Sequence, residues 1–278
     1  MGRHAKTEAL IEAVQEVLTA HHPMTVRQVF YALVSRQDVE NTRSRYQAVG
    51  DILVAARKEG LIPWSWIEDR LRRPRTVAMW ADLADFADSA IISFRRNVWR
   101  SQPAYVEVWL EKDALSGIFE EILEPYGVTL NVGRGYDGWD SIHNAAGRFR
   151  PEPDGTVLYF GDFDPSGEDM VRSLRERLAY FDCHPALIKS ALTAEDVTRY
   201  SLPPDFTKQT DSRRAAFVAK YGDVAVELDA LPIDVLQDRL EEEVRARLDL
   251  RALAGVRTIE TRERNRLRRL LTGTAHGR

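Results

Sequence analysis

The sequence predicts an α/β protein, a mostly parallel sheet covered by helices, preceded by an all-helical front that closes in a small β element. Three observations predict it. From about residue 103, short apolar runs alternate with amphipathic stretches of helical length. Before them, three helical patterns follow one another with turn residues between. The third pattern runs into the short aromatic alternation LIPWSWIED, which reads as a strand or hairpin and completes a winged helix-turn-helix.

In the front, Leu10, Val14, Val17 and Leu18 share one helical face within residues 5–20, and His21-His22-Pro23 ends that helix. Thr25 is placed to cap a second helix, TVRQVFYALVSR, whose apolar face is Val26, Val29, Phe30 and Leu33. A third helix, about 42–59, carries Tyr46, Val49, Ile52, Leu53 and Ala56, and Gly60 stops it. After the wing comes DRLRRPRT, in which Arg70, Arg72, Arg73 and Arg75 form either a phosphate-contacting stretch or a solvated interdomain turn. Residues 76–100 read as one connecting helix ending in the basic patch Arg95, Arg96 and Arg100.

Pro103 marks the next boundary. YVEVWLE is a strand, and DALSGIFEEILEPYG a helix capped by Asp113. VTLNVGRGY and GWDSIHNAAGRF repeat the pattern, as do TVLYFGDFD and PSGEDMVRSLRERLAYF, and PALIKSAL is a fourth strand. The tail turns irregular and then helical, with LPIDVLQDRLEEEVRARL and TRERNRLRRLL. Its polar cluster Lys208, Asp211 and Arg213 has no role that the sequence supplies. The expected organisation is a winged helix-turn-helix module over 1–75, a connecting helix over 76–102, the sheet domain over 103–200 and a helical extension over 201–278.

Composition narrows the class. Of 278 residues, 44% are hydrophobic and 29% charged, which suits a globular chain rather than a disordered one. No apolar run approaches the ~20 residues that cross a bilayer, and the first residues lack the apolar core of a signal peptide. Cys183 is the only cysteine, which excludes a disulfide framework or a cysteine-based zinc site. The expected setting is therefore cytoplasmic, close to the nucleoid, with no membrane partner. Residues 1–100 hold 15 basic and 12 acidic side chains, leaving 24 basic and 31 acidic for the rest. A basic front and an acidic back suit a DNA-contacting module joined to a metal-binding one.

The acidic groups fall at strand ends, where open parallel sheets place their chemistry. The first strand ends Trp109-Leu110-Glu111, followed by Lys112-Asp113. The third ends in Gly161, then Asp162-Phe163-Asp164-Pro165-Ser166-Gly167. Alternation turns Asp162 and Asp164 to one side, and Glu111 joins them if the two strands are neighbours. Converging carboxylates repel one another without a cation. Magnesium, hard and oxygen-seeking, is the expected one. Each cluster alone reads equally well as a helix cap.

VEVWLEKDAL followed about fifty residues later by YFGDFDPSGEDM resembles a Toprim domain, and EKDAL with DxDPxG is most similar to the topoisomerase VI A subunit and its relative, the meiotic double-strand-break transesterase. The resemblance covers roughly residues 20–240. It implies a Rossmann-like sheet with Glu111, Asp162 and Asp164 as magnesium ligands, and Lys112 and Arg134 as candidate phosphate contacts. It also implies a catalytic pair in the front module. Thr25-Val26-Arg27-Gln28-Val29-Phe30-Tyr31 is similar to the family's tyrosine motif, with Phe-Tyr where Tyr-Tyr is usual. Arg27 and Tyr31, at i and i+4, share a helix face, so the cation can favour a phenolate or hold the phosphate under attack. Tyr31 could also be core, and Tyr46 is a fallback.

The expected activity is magnesium-dependent cleavage of double-stranded DNA by tyrosine transesterification. The resemblance implies a 5′-phosphotyrosyl intermediate, a homodimer and an ATPase subunit encoded elsewhere, since the chain has no Walker motif. Two alternatives stay open: a Toprim nuclease that uses water, and a non-catalytic DNA-binding subunit.

Overall fold

The computed structural model describes residues 5–67, 77–133, 138–149, 155–204 and 213–273. The front holds α1 (Ala5–His21), α2 (Val26–Ser35) and α3 (Arg43–Lys58). Thr25 caps α2 in a full capping box: its side chain accepts from Gln28 N, and the Gln28 side chain accepts from Thr25 N at 2.7 Å. The expected wing differs. Trp64–Trp66 is a single 3₁₀ turn, and the only strand-like pairing of this segment among the described residues is one bridge between Met24 and Ile67. Trp66 stacks on His22, and the aromatic content that suggested a strand goes into anchoring the turn. Glu68 and Asp69, the last two residues of the predicted wing, lie outside the described residues.

The connecting helix is shorter than the sequence suggested. Among its described residues only α4 (Leu83–Ser93) is α-helical, with a 3₁₀ turn at Trp99–Ser101. Asp82 caps α4 by accepting from Asp85 N, and Phe94 ends it in extended backbone. Val77 and Met79 are apolar but exposed, so they carry a helical composition with no surface to pack against. From Phe94 the chain is held instead by α11 (Leu250–Gly273), where Glu260 accepts from Arg96 N at 2.7 Å and Arg264 donates to Phe94 O at 2.8 Å.

The sheet is parallel throughout, in the order β2-β1-β3-β4, with β1 Tyr105–Leu110, β2 Thr129–Val132, β3 Gly155–Phe160 and β4 Ala186–Ala191. The crossovers are α5 (Ser116–Leu123), α6 (Trp139–Phe149) and α7 (Pro165–Tyr180), followed after β4 by α8 (Ala194–Arg199), α9 (Arg214–Tyr221) and α10 (Ile233–Arg245). Strand periodicity sorts the two faces. Val106, Val108, Leu110, Leu158 and Phe160 pack with α5, α10 and the front helices in one continuous core. Tyr105, Trp109, Val157 and Tyr159 pack with α6 and α7. With both faces covered, the strands read as near-continuous apolar runs, as the sequence showed. The α5 start differs in detail: a 3₁₀ turn over Asp113–Leu115 precedes it, and no side chain caps that turn.

The first face is interrupted by nothing charged, whereas the second buries Glu107 completely. Its carboxylate accepts from Tyr105 Oη (2.9 Å), Trp109 Nε1 (3.1 Å), Asn131 Nδ2 (2.6 Å) and Arg148 Nε (2.5 Å). With Arg148 Nη2 adding a second guanidinium donor at 3.0 Å, five donors around one carboxylate satisfy its lone pairs, which is what allows a charge to sit inside a sheet.

Candidate functional site

The β1–β3 register aligns Leu110 with Phe160, so the residues that follow each strand leave the sheet side by side at its carboxyl edge. Glu111 N donates to Phe160 O at 2.9 Å, which extends the ladder by one residue and fixes where the Glu111 side chain begins. Its Oε2 accepts from Asp162 N at 3.1 Å and from Tyr159 Oη at 3.0 Å. Burial, then the Glu111 charge, pushes the Tyr159 hydroxyl far above its ordinary range, so it is a permanent donor.

Two glycines make this approach possible. A Cβ at Gly161 would stand 2.5 Å from Glu111 Oε2, and one at Gly167 would stand 2.1 Å from the carbonyl oxygen of Asp162. No other residue lets the first turn of α7 close over the acidic turn. Asp164 caps that helix, accepting from Gly167 N at 2.6 Å, with Pro165 in the first turn.

Asp162 Oδ1 accepts from Leu228 N at 2.7 Å and lies 3.4 Å from Lys112 Nζ. Leu228 belongs to a segment of the tail that the sequence reading missed. Phe163 and Val226 form an antiparallel bridge there, followed by a 3₁₀ turn at Leu228–Ala230. The segment brings Glu227 and Asp229 into the site. Lys112 Nζ donates to Asp229 Oδ2 at 2.7 Å and to Glu227 Oε2 at 2.9 Å, and Glu227 also pairs with Arg27. Lys189 reaches the same turn from β4, donating to Asp162 O at 3.1 Å and Glu168 Oε1 at 2.6 Å. A signal existed: VAVELDA alternates apolar and acidic residues as the DxD turn does.

The charges are unequal in their support. Burial opposes the Lys112 ammonium, but Asp229, Asp162 and Glu227 outweigh it and raise its pKa. Burial also opposes the Glu227 carboxylate, yet Lys112 and Arg27 bring its pKa below the ordinary value. Asp162 goes the other way. Burial pushes it up to about 7, Lys112 offsets only part of this, and Glu111 adds to it. The geometry explains the difference, since Lys112 is nearer to Asp229 and Glu227 than to Asp162.

Tyr31 lies on α2 and is 4% exposed. Phe30 tilts against it at 5.4 Å between centroids. Tyr31 borders a cavity of about 130 Å³ with Gln28, His21, Ser35, Asp229 and Asp234 among its walls. Arg27 is one helical turn away and electrostatically coupled to Tyr31, but its closest ion pair is Glu227. Lys112, expected at phosphate, is 14% exposed and enclosed by three carboxylates. Tyr46 meets Phe30 edge-on in the core beneath α2, with the Arg27 guanidinium 5.6 Å from its ring. Arg213 donates to Asp169 on α7 at 3.1 Å. Arg70, Arg72, Arg73, Arg75, Arg134, Lys208 and Asp211 lie outside the described residues.

The donor chemistry suits a hard cation: three carboxylates, no thiol, no imidazole. Glu111 Oε1, Asp162 Oδ2 and Asp164 Oδ2 have no protein hydrogen bond among the described residues. Yet among those residues no group of three His, Cys, Asp or Glu side chains is gathered in metal-ligating geometry. Asp164 is turned into its helix cap, so closing on an ion would draw it from Gly167 N.

These features define a mixed α/β protein with a four-stranded parallel sheet among its described residues and an acidic, lysine-threaded pocket at the sheet's carboxyl edge. No family model and no curated protein sequence matches the chain. No helix of the described residues is long and apolar enough to cross a membrane.

Proposed function

We propose that this chain is a magnesium-dependent DNA-cleaving enzyme of the kind its motifs resemble, the topoisomerase VI A subunit, with Glu111, Asp162 and Asp164 holding the ion. The observation that carries the reading is the adjacency of β1 and β3, in register, with Glu111 Oε2 at 3.1 Å from Asp162 N. A divalent cation there supplies charge neutralisation at a phosphodiester. Glu227 and Asp229 position Lys112 beside Asp162, and Tyr159 and Asp162 N orient Glu111.

Tyr31 is the proposed nucleophile. Its oxygen bonds to phosphorus as the bond from phosphorus to the 3′ oxygen breaks; the phenol loses its proton and the departing 3′ oxygen gains one. The product is a 5′-phosphotyrosyl link and a free 3′ hydroxyl. Arg27 is the group that favours phenolate or steadies the phosphate. In keeping with the resemblance, the substrate is double-stranded DNA, the working form a homodimer, and a separate ATPase subunit serves strand passage. One observation favours a second reading. The burial of Tyr31 keeps its hydroxyl from a duplex in this conformation, whereas water reaches a carboxylate edge unaided, as in a Toprim nuclease.

Incubation with supercoiled plasmid and magnesium separates the two. Transesterification leaves protein covalently attached to 5′ ends and is abolished by Tyr31→Phe. Hydrolysis leaves free 5′ phosphates, survives Tyr31→Phe and is lost in Asp162→Ala. A protein that cuts under neither regime and binds no magnesium in calorimetry is a DNA-binding subunit or something else.

A further inference from the structure

The last helix, α11, carries seven arginines and two glutamates over Leu250–Gly273, a net charge of +5 in a chain whose total is −4. Its arginines divide by face. Arg257 and Arg264 point inward and are occupied: both pair with Glu260, Arg257 donates to Pro125 O at 2.6 Å and Arg264 to Phe94 O. Arg251, Arg262, Arg266 and Arg269 are exposed, and no side-chain hydrogen bond or ion pair engages them among the described residues. At 100° per residue these four fall within a sector of about 60°, and at 1.5 Å per residue they span about 27 Å.

Structure alone does not call for that stripe. Arg262 and Arg266, at i and i+4, repel one another. The helix dipole favours cations only within about one turn of the carboxyl end, and the stripe starts well before it. Between the arginines the sector holds Gly255, with Thr258 bordering it on one side and the exposed Ile259 on the other. A helix lying in a membrane interface needs an apolar face free to enter lipid. Here Leu253 and Glu260 are buried against the protein, and the exposed Ile259 and Leu270 that flank the arginine sector stand eleven residues apart, too far to make a continuous apolar face. A row of planar, bidentate donors spaced about 6 and 4.5 Å apart along its densest part matches successive phosphates better than it matches lipid.

We infer that the exposed arginine face of α11 binds the phosphodiester backbone of duplex DNA, as a surface separate from the acidic pocket. The inference rests on the reading of this chain as DNA-acting, though not on cleavage. α11 docks on α4 and on the 3₁₀ turn at Trp99–Ser101, ahead of β1, whereas the pocket is at the far end of that strand. Six residues of strand separate the two ends by about 20 Å. The stripe therefore holds DNA away from the reacting phosphate, without reading bases.

The test is the salt dependence of duplex binding by the full chain in calcium-free, magnesium-free buffer, measured by fluorescence anisotropy. R262Q/R266Q/R269Q is expected to weaken binding and to lower the slope of log K against log salt by about 2.7, at about 0.9 per phosphate contact. R266Q alone is expected to lower it by about 0.9, and R262K/R266K/R269K to keep it. Unchanged slopes in the glutamine variants, with helicity by circular dichroism intact, overturn the inference. So does a wild-type chain that binds no duplex, or glutamine variants that lose only binding to phosphatidylserine vesicles. Stripe-dependent binding by a protein that never cuts DNA would sustain this inference and end the cleavage reading.

Discussion

Asp162 is the residue at which the proposed function and stability oppose each other. Burial, reinforced by Glu111, raises its carboxyl to about 7, against about 3.9 for an ordinary aspartate. The native state thus holds a proton on Asp162 where the unfolded chain has released it. Stability from this group is complete below about pH 4 and is lost as pH rises towards about 7. The difference corresponds to about 4 kcal/mol above that window, at about 1.36 kcal/mol per tenfold change in proton affinity. Asp162→Asn keeps the shape and removes the charge. In metal-free buffer it should leave stability almost unchanged near pH 4 and raise it by up to about 4 kcal/mol at pH 8.5. Urea denaturation of both proteins across pH 4–8.5 measures this directly. Magnesium should then reverse the order: the wild type gains stability with concentration as a ligand-binding native state must, and the variant gains little. A variant that is no more stable than wild type at pH 8.5 would refute the claim that this carboxylate is left short of positive charge.

Two further substitutions probe the same turn. Lys112→Met strips the cation from Asp229, Glu227 and Asp162, of which Asp229 is fully buried; the expected cost is about 3–5 kcal/mol near pH 8, shrinking at acid pH, read as a fall in Tm. Gly167→Ala puts a methyl 2.1 Å from Asp162 O, so backbone must move; a loss of about 1–3 kcal/mol is expected, together with loss of magnesium-dependent stabilisation in the same thermal scan.

The sheet was legible because its cause is local. Strands covered on both faces must be largely apolar along their length, and YVEVWL, apart from Glu107, and TVLYF are. The acidic turn was legible for a similar reason, since DxDPSG carries its own cap, proline and glycine within six residues. What the sequence hid is long-range. Lys112 meets Glu227 and Asp229 across 115 and 117 positions, and Arg27 meets Glu227 across 200. No periodicity encodes such pairs, and VELDA occupies one bridge, at Val226, and one 3₁₀ turn rather than a strand. The over-long connecting helix was the opposite error: Val77, Met79 and Leu83 look like a buried face but are exposed, because burial depends on a partner surface that composition does not reveal.

Arg27, Glu227, Lys112 and Asp162 form an unbroken chain of opposite charges from α2 to the end of β3. Asp229 belongs to both ends of it. Its Oδ2 holds Lys112, while its Oδ1 is buried without a hydrogen-bond partner and its side chain helps wall the cavity beside Tyr31. Gln28 Nε2, on the same cavity, is likewise unpaired. Unpaired buried polar atoms cost about 1–3 kcal/mol each, so the seam between α2 and residues 229–234 is weaker than the apolar core around it. Tyr31 borders that seam through the same cavity. The same ion chain that steadies the acidic turn also ties α2, which carries the buried Tyr31, to residues 227–229; under the transesterase reading proposed above, Tyr31 reaches DNA only if that seam opens or if it serves the acidic turn of a second chain.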